Sequence, residues 1–370
     1  MATPIQEVAS FGQSIWYDNL RRAMFSSGEL KKMIEEDGLL GMTSNPSIFE
    51  KAIGSGDDYD HGLGELLKKH PHHDADALFE ALAVDDIQHA CDLFRPVYDR
   101  TTGRDGYVSL EVSPRLAHDA HKTFAEAQKL WKLVARPNLM IKIPGTAECL
   151  PAIRDSIAAG INVNTTLLFA VTAYEKVAEA YIAGLEQRHD KKQDLSHVHG
   201  VASFFLSRID TVIDKQLGDK HPELHGKAAI ANAKVAYAKY LQLIASTRWQ
   251  KLAAAGAHPQ RLLWASTGTK NPAYPKLMYV DALIGKDTVN TIPVDTYNEL
   301  RDNGAGHAHS TLDQGMDDAT RTLAHLGQAG IDMAKVTDDL LVDGVKQFDK
   351  AFDGLLKAVA DKKAKLAHNK

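Results

Sequence analysis

Eight short apolar runs, separated by longer segments of helical periodicity, constrain the fold of this chain more than any other feature. The runs lie at residues 14–20, 39–45, 107–113, 138–144, 160–168, 197–205, 261–267 and 287–293. Strands that alternate with helices form a parallel sheet, because each helix carries the chain back to the same edge. Eight such units in 370 residues are typical of a closed barrel. We therefore predict an α/β fold, a single TIM-type (β/α)8 barrel with additional helices.

The whole chain, residues 1–370, is predicted to form one domain, because no Pro-, Gly- or Ser-rich linker divides it. The segment around 55–106 is too long for one crossover, and we predict a helical insertion there. The Ser-Pro pair at 113–114 is typical of a helix N-cap and first position. A C-terminal helix with an apolar stripe from Leu341 to Val359 is predicted to pack on the outside of the barrel.

Composition and charge exclude several classes of protein and partner. Hydrophobic residues make up 44% of the chain and charged residues 25%, which is ordinary for a globular protein. The net charge of −5 disfavours nucleic acid or an anionic membrane as partner. No apolar run approaches the ~20 residues that span a bilayer, and no signal peptide is recognised. With only two cysteines, a disulfide framework is excluded and a reducing cytoplasm is expected.

Polar side chains interrupt most of the apolar runs near their C-terminal ends. They are Asp18, Asn45, Glu111, Lys142, Asn164, Thr166 and Ser203. Strand alternation places Met140 and Lys142 on one face of their strand and the neighbouring isoleucines on the other. If these are inward faces, the upper layer of the barrel is polar, and that end is where such barrels carry their active sites.

Lys142 is the most informative of these residues. An ammonium group between Ile141 and Ile143 on a buried strand is costly unless it is paired or neutral. Desolvation lowers the pKa of a lysine, and a neutral amine can attack a carbonyl to form a Schiff base. A purely structural ion pair with Glu111 or Asp18 is the alternative, but such a pair does not need the surrounding Asn, Thr and Ser side chains. The same two carboxylates are candidates for proton transfer.

Two basic residues after later strands are candidates for binding a phosphate group. Arg208 lies five residues after Ser203, and Lys270 follows a turn-like run that starts at Ser266. Hydroxyls, backbone N–H groups and a guanidinium are the usual ligands of a phosphate. A solvated cation is the alternative interpretation of either residue.

No motif for a metal or a nucleotide cofactor is found. The closest histidine groups are His72-His73, His197/His199 and His307/His309. None of them has the HExxH spacing of a zinc helix, and no cysteine lies near them. No GxGxxG or Walker pattern follows a strand. We predict neither a metal nor an organic cofactor.

Four segments make the chain resemble the transaldolase family, and the resemblance covers nearly the whole sequence. They are GMTSNPSIF at 41–49, LMIKIPGT at 139–146, NVNTTLLF at 162–169 and DGVKQF at 343–348. The length and the STGTKNP run at 266–272 are similar to the longer bacterial branch. The resemblance implies a (β/α)8 barrel and transfer of a dihydroxyacetone unit from sedoheptulose 7-phosphate to glyceraldehyde 3-phosphate. Erythrose 4-phosphate and fructose 6-phosphate are the products, in the non-oxidative pentose phosphate pathway.

The resemblance also implies a role for each candidate residue. Lys142 corresponds to the Schiff-base nucleophile, and Asp18 to the group that accepts and returns the C4-hydroxyl proton. Glu111 and Thr166 correspond to residues that position a water for carbinolamine dehydration. The implied substrate-binding residues are Asn45, Asn164 and Ser203 for the three-carbon unit, and Arg208, Ser266 and Lys270 toward the phosphate.

Two positions depart from the family pattern, and several alternatives stay open. Cys149 stands where the family usually has glycine, and Lys270 stands nearest to the position of an arginine in the shorter branch. The alternatives are a Schiff-base fructose-6-phosphate-type aldolase, a metal-dependent aldolase and a non-catalytic sugar-phosphate-binding barrel. We expect a cytoplasmic monomer or homodimer that binds small sugar phosphates and neither nucleic acid nor membrane.

Overall fold

A computed structural model describes residues 2–306 and 308–368, so His307 of the histidine groups lies outside the described residues. Eight parallel strands close into a barrel in chain order, with the last strand beside the first. The strands are β1 (Gln13–Asp18), β2 (Gly41–Thr43), β3 (Tyr107–Glu111), β4 (Leu139–Pro144), β5 (Val163–Leu168), β6 (Gly200–Phe205), β7 (Arg261–Ala265) and β8 (Thr288–Ile292). Every strand lies inside one of the predicted runs, except that β1 begins one residue before its run. The predicted (β/α)8 barrel is confirmed.

Helices surround the barrel and connect successive strands. They are α1 (Pro4–Ser10), α2 (Ala23–Ser26), α3 (Glu29–Lys32), α4 (Pro46–Gly54), α5 (Asp60–Lys69), α6 (Ala75–Arg100), α7 (Ala120–Val134), α8 (Leu150–Ala158), α9 (Val171–Asp190), α10 (Ser207–Leu217), α11 (Ala228–Ala245), α12 (Thr247–Ala254), α13 (Met278–Ala282), α14 (Val294–Asn303), α15 (Met316–Gln328) and α16 (Met333–His368). The segment 55–106 contains α5 and α6. Across the described residues, no helix combines the length and hydropathy that a membrane span requires.

The helix after β3 begins later than the Ser-Pro pair predicts. The Ser113 side chain makes no capping hydrogen bond, and Pro114–Leu116 forms only a 3-10 turn. The α-helix starts at Ala120, where the Asp119 side chain accepts a hydrogen bond from the backbone N–H of Lys122. An aspartate cap satisfies a backbone N–H group that the first helical turn leaves free, so the helix begins at the residue that provides this cap.

The C-terminal helix α16 packs on outer helices, as its apolar stripe predicts, and part of it also crosses the barrel mouth. Most of the stripe is buried, and the helix packs mainly on α4, with further contacts to α6, α5, α10 and the turn after β3. The Phe348 ring centroid lies 5.6 Å from Lys142 Nζ, so this part of α16 crosses the barrel mouth. Apolar periodicity indicates which face of a helix is buried, but it does not indicate which surface covers that face.

Large side chains and one ion pair fill the lower half of the barrel. Trp16 is fully buried, and its indole lies so close to Gly41 that a Cβ at that glycine would come within 2.6 Å of the ring. Arg261, at the start of β7, pairs with Asp105 at 3.0 Å. These side chains fill the barrel interior below the C-terminal ends of its strands.

Candidate active site

A cavity of about 300 Å³ opens where the strands end, and it continues into an outer cavity of about 830 Å³. Eight of the predicted site residues line the inner cavity: Asp18, Asn45, Lys142, Thr166, Ser203, Arg208, Ser266 and Lys270. The other two, Glu111 and Asn164, lie behind this lining and contact members of it. Side chains that are up to 252 positions apart in the sequence meet here because parallel strands end at one edge of the barrel.

Lys142 projects into the barrel from β4 and is only 5% exposed. Its Nζ donates a hydrogen bond to the carbonyl oxygen of Ser44 at 3.2 Å. The same nitrogen lies 3.3 Å from Glu111 Oε2. The ring of Phe348 covers it from above. The amine therefore stands at the floor of the cavity, shielded from bulk water.

Glu111 is held next to Lys142 by the pairing of their two strands. Burial raises the pKa of its carboxyl to about 7, with the Lys142 ammonium opposing the shift and Asp18 adding to it. Apart from Lys142, its carboxylate oxygens have no hydrogen-bond partner among the described residues. The carboxyl can therefore exchange a proton near neutral pH and bind a small polar molecule.

Thr166 lies beside this pair on β5. Its hydroxyl is buried without a hydrogen-bond partner in the described part of the chain. A bulge in β5 follows, and Leu167 has a φ of 62°. Left-handed backbone at a branched residue is strained, and such strain is concentrated at functional sites. The bulge places the Thr166 hydroxyl on the cavity lining.

Asp18 lies at the end of β1, across the cavity floor from Glu111. Its Oδ1 accepts a hydrogen bond from Thr43 Oγ1 at 2.7 Å. The hydroxyls of Thr43 and Thr291 are 2.6 Å apart, and Thr43 accepts from Thr291 because its own proton is donated to Asp18. Burial raises the pKa of Asp18, and the charge of Lys142 opposes this shift. A carboxyl that is oriented in this way is suited to proton transfer.

A chain of amides and hydroxyls forms the wall next to Lys142. Ser203 Oγ donates to Asn164 Oδ1 at 2.7 Å, and the Asn164 amide donates to Ser109 Oγ at 3.0 Å. Asn45 differs, because its side-chain oxygen caps α4 by accepting the Ile48 N–H at 3.0 Å. That cap leaves the Asn45 amide nitrogen as a donor toward the cavity.

The basic residues lie on the β6–β7 side of the mouth. Arg208 is in the first turn of α10, and its buried Nη1 has no hydrogen-bond partner among the described residues. Burial lowers the pKa of its guanidinium, and Asp343 opposes this shift. Ser266, at a φ of 55°, shares a 2.8 Å hydrogen bond with Ser207, the residue before Arg208. Lys270 is exposed and lines both cavities.

Sequence reasoning missed several residues that complete the site. Phe348 covers Lys142, and Phe205 lies under the Arg208 guanidinium, 5.5 Å from its central carbon. Thr43 and Ser44 hold Asp18 and Lys142 in place. Both belong to the 41–49 segment, and Phe348 ends the 343–348 segment, so the resemblance contained the signal for them. Strand polarity alone did not identify them.

Cys149 and the described histidines lie outside this chemistry. The Cys149 thiol is buried, lies 3.3 Å from the Ala117 carbonyl oxygen and does not line the cavity. Within residues 2–306 and 308–368, no group of three or more His, Cys, Asp or Glu side chains is arranged to hold a metal ion.

The fold and the site define a class: a (β/α)8 barrel whose mouth holds a buried lysine between two carboxylates. The chain matches the family described as Transaldolase/Fructose-6-phosphate aldolase over residues 15–359. It is 46% identical over 355 residues to a transaldolase of Thiobacillus denitrificans, which covers 95% of this chain and 98% of that protein. A transaldolase of Thermobifida fusca is 45% identical over 371 residues, with 98% and 99% covered. The chain belongs to the transaldolase/fructose-6-phosphate aldolase family.

Proposed function

We propose that this chain is a transaldolase. It transfers a dihydroxyacetone unit from sedoheptulose 7-phosphate to glyceraldehyde 3-phosphate and yields erythrose 4-phosphate and fructose 6-phosphate. The observation that carries the proposal is Lys142 at the floor of a cavity of about 300 Å³, between two buried carboxyl groups. Near-full-length identity to transaldolases supports transfer over the alternative of a simple aldolase.

Imine formation begins when the Lys142 amine attacks the donor's C2 carbonyl carbon. The carbinolamine that forms then loses its hydroxyl as water, which requires a proton. Glu111, with a pKa raised to about 7 by burial, supplies that proton through a water held jointly with Thr166. The unpaired oxygens of both side chains support this role.

Carbon–carbon cleavage follows from the protonated imine. Asp18 takes the proton of the C4 hydroxyl, the C3–C4 bond breaks, and its electron pair passes into the imine to give an enamine. The aldose phosphate leaves, and the enamine stays bound to Lys142. The acceptor aldehyde enters, its carbonyl carbon is attacked by the enamine, and Asp18 returns the proton. The hydrogen bond from Thr43 keeps the Asp18 carboxyl in one orientation for both steps.

Transfer requires that the enamine waits for an aldehyde and is not hydrolysed. The Phe348 ring above Lys142 limits the approach of water from the mouth. Asn45, Asn164 and Ser203 provide hydrogen bonds for the hydroxyls of the retained three-carbon unit. Arg208, whose buried Nη1 is unpaired within the described residues, is the strongest candidate for the phosphate ligand. Lys270 lies on the same cavity.

We also propose a domain organisation, a location, an oligomeric state and a cofactor requirement. The chain acts as one domain of residues 1–370, in the cytoplasm, as a monomer or homodimer. It uses no cofactor and no metal, so dialysis against EDTA leaves its rate unchanged.

Borohydride reduction in the presence of fructose 6-phosphate tests the proposal. Peptide mass mapping is expected to locate the reduced adduct on Lys142, and Lys142→Arg to abolish both adduct and turnover, because a guanidinium forms no imine. Lys234→Arg is the matched control, since Lys234 is a half-buried lysine far from the site that donates to backbone carbonyls. An adduct on another lysine, or full activity of Lys142→Arg, contradicts the proposal. Assays with and without acceptor aldehyde separate transfer from simple aldol cleavage.

A further inference from the structure

A hydrogen bond connects the segment that carries Lys270 to the helix that carries Arg208. We call residues 266–277, which follow β7, the β7 loop. Within it, the hydroxyl of Tyr274 donates to Asp214 Oδ2 at 2.6 Å. Asp214 belongs to α10, the helix with Arg208 in its first turn. The two cations at the cavity mouth are therefore joined through a defined side-chain contact.

The contact at Tyr274 is closely packed as well as hydrogen-bonded. Asp214 also accepts a hydrogen bond from the backbone N–H of Gly226 at 3.0 Å. Gly226 has a φ of 67°, and a Cβ on it would come within 2.9 Å of the Tyr274 ring. Tyr274 is thus held between a glycine that has no side chain and a carboxylate that has a second donor. This geometry permits little movement of the ring.

The part of the β7 loop that needs support lies between its two ends. At its start, Ser266 is held by hydrogen bonds to Ser207. Residues 270–273 are all exposed, so packing does not hold them in place. Lys276 pairs with Glu299 at 2.9 Å, but exposed pairs of this kind contribute little. The bond of Tyr274 to Asp214 is the stronger connection at the distal end, because its acceptor is charged.

A second tyrosine–aspartate pair lies deeper on the same helix. Tyr279, in α13, donates to Asp210 Oδ2 at 2.7 Å, and both residues are almost fully buried. Asp210 also accepts the backbone N–H of Ala229 at 2.8 Å. This pair packs α13 against α10 beneath the loop. Its burial makes it a part of the fold, whereas the Tyr274 pair is partly exposed and lines the outer cavity through its tyrosine.

We infer that Tyr274 and Asp214 are positioning residues for phosphate recognition. Their hydrogen bond holds the β7 loop so that Lys270 faces the same phosphate dianion as Arg208. The inference rests on the proposed function, because it concerns the phosphate end of that substrate. Neither residue contacts the reacting carbon atoms. Their effect is on binding of phosphorylated substrates and not on the chemical step.

Steady-state kinetics of Tyr274→Phe test the inference. We expect KM for fructose 6-phosphate to rise about three- to tenfold with kcat unchanged, less than for loss of a direct hydrogen bond to the phosphate, because the variant loosens the loop and removes no phosphate ligand. Turnover of unphosphorylated fructose, however slow, is expected to stay at the wild-type rate. Tyr237→Phe is the matched control, because the Tyr237 hydroxyl donates to the Lys286 carbonyl at 3.0 Å away from the cavity. An equal loss with both sugars overturns the inference.

A double-mutant cycle shows whether Tyr274 acts through Lys270. In a Lys270→Ala background, Tyr274→Phe is expected to leave KM for fructose 6-phosphate unchanged, because the cation that it positions is gone. If Tyr274→Phe raises KM by the same factor in both backgrounds, it does not act through Lys270 and the inference is wrong.

Hydrogen exchange provides a readout that does not depend on activity. In Tyr274→Phe, amides of residues 267–277 are expected to exchange faster than in wild type, with exchange in the barrel strands unchanged. Unchanged exchange in this segment overturns the inference even if Lys142 is trapped by borohydride. Failure of wild-type trapping instead contradicts the proposed function, and faster loop exchange then still supports the contact between loop and helix.

Discussion

Two buried ion pairs lie at opposite ends of the barrel and differ in how many hydrogen bonds their charged atoms make. At the top, Lys142 and Glu111 are 3.3 Å apart, with side chains 6% and 4% exposed. At the bottom, Arg261 and Asp105 are 3.0 Å apart, with side chains 8% and 4% exposed. Burial and charge therefore do not distinguish them. Their hydrogen bonding does.

The lower pair is fully bonded to its surroundings. Asp105 accepts hydrogen bonds from Ser14 Oγ at 2.8 Å and from Trp16 Nε1 at 3.2 Å, as well as from Arg261. Arg261 donates in addition to Ser14 Oγ at 3.0 Å and to the Arg104 carbonyl oxygen. A satisfied network of this kind gives the lower barrel one defined packing arrangement.

The upper pair has free hydrogen-bonding capacity next to the cavity lining. Glu111 has no hydrogen bond to described residues beyond its pairing with Lys142, and the neighbouring Thr166 hydroxyl has none. Unpaired buried polar atoms cost stability, and when they lie beside a carboxyl whose pKa is raised they are typical of a site that binds a ligand or carries out a reaction. The comparison teaches that unsatisfied partners, and not burial, distinguish the functional pair from the structural one.

Replacing the upper carboxylate is expected to have the largest effect, and it falls on activity. Glu111→Gln removes the proton donor but keeps the shape, so kcat is expected to fall by about 10²–10⁴-fold, the usual contribution of general acid–base catalysis. The free energy of unfolding is expected to change by less than about 1 kcal/mol, because the cost of burying the carboxylate offsets much of its attraction to Lys142. Steady-state assays and urea unfolding measure both quantities. If Glu111→Gln lowers the free energy of unfolding by several kcal/mol, the upper pair also stabilises the fold, and this contradicts the comparison.

Replacing the lower cation is expected to have the opposite profile. Arg261→Met leaves Asp105 as a buried charge without its partner, and such changes lower the free energy of unfolding by about 3–5 kcal/mol. The folded fraction is expected to keep its kcat, because neither residue lines the cavity. Urea unfolding measures the loss of stability. Activity assays without denaturant, at a temperature at which the variant is folded, measure kcat. A reduced kcat in fully folded Arg261→Met shows that the lower pair affects the site.

The upper ion pair could be predicted from the sequence and the lower one could not, for physical reasons. A lysine between two isoleucines violates the pattern of a buried strand, so Lys142 and its inward-facing neighbours could be predicted from alternation. Arg261 begins its strand, where a solvated cation is ordinary, and Asp105 lies in the turn before β3. Nothing local shows that these two residues meet inside the barrel.

The eight strands were predictable because short apolar runs between segments of helical periodicity are a local property of the sequence. The path of α16 across the mouth was not, because an apolar stripe does not indicate whether it covers only the outer helices or part of the mouth as well. That choice depends on contacts with α4, far away in the sequence, and so Phe348 was missed as a site residue. The role of Asn45 came from the family resemblance, whereas Lys270 was a phosphate candidate from its position after a turn-like run, and the roles of all the site residues stay predictions.

Acidification below about pH 6.5 is expected to destabilise the protein through a buried histidine at the lower end of the barrel. His199 is 7% exposed and stacks on His258 with ring centroids 4.3 Å apart. Burial lowers the pKa of His199 to about 3, and the charges of His258 and Arg261 add to the shift. Because the folded-state pKa lies below the unfolded value of 6.5, stability is complete above about pH 6.5 and falls below it.

This linkage predicts a loss of about 2 kcal/mol between pH 7 and pH 5, from roughly 1.4 kcal/mol per pH unit below 6.5. Urea unfolding at several pH values measures it. In His199→Gln the side chain at position 199 is uncharged at every pH. The free energy of unfolding of this variant is therefore expected to depend less on pH than that of wild type. If wild type and His199→Gln lose the same stability on acidification, the imidazole does not contribute in this way.

The smallest expected effects come from one hydroxyl at each end, and they sharpen the comparison most directly. Ser14→Ala deletes hydrogen bonds to both members of the lower pair, so the free energy of unfolding is expected to fall by about 1–2 kcal/mol with kcat unchanged.

Thr166→Val deletes a buried hydroxyl that has no partner among the described residues, so the free energy of unfolding is expected to stay the same or rise slightly. Its kcat is expected to fall about tenfold, because the water at Glu111 then loses one of its two ligands. Parallel unfolding and steady-state assays of the two variants provide the test. If Thr166→Val is destabilised as much as Ser14→Ala while kcat is retained, the Thr166 hydroxyl belongs to the packing of the barrel, and the distinction between the two ends does not extend beyond the ion pairs themselves.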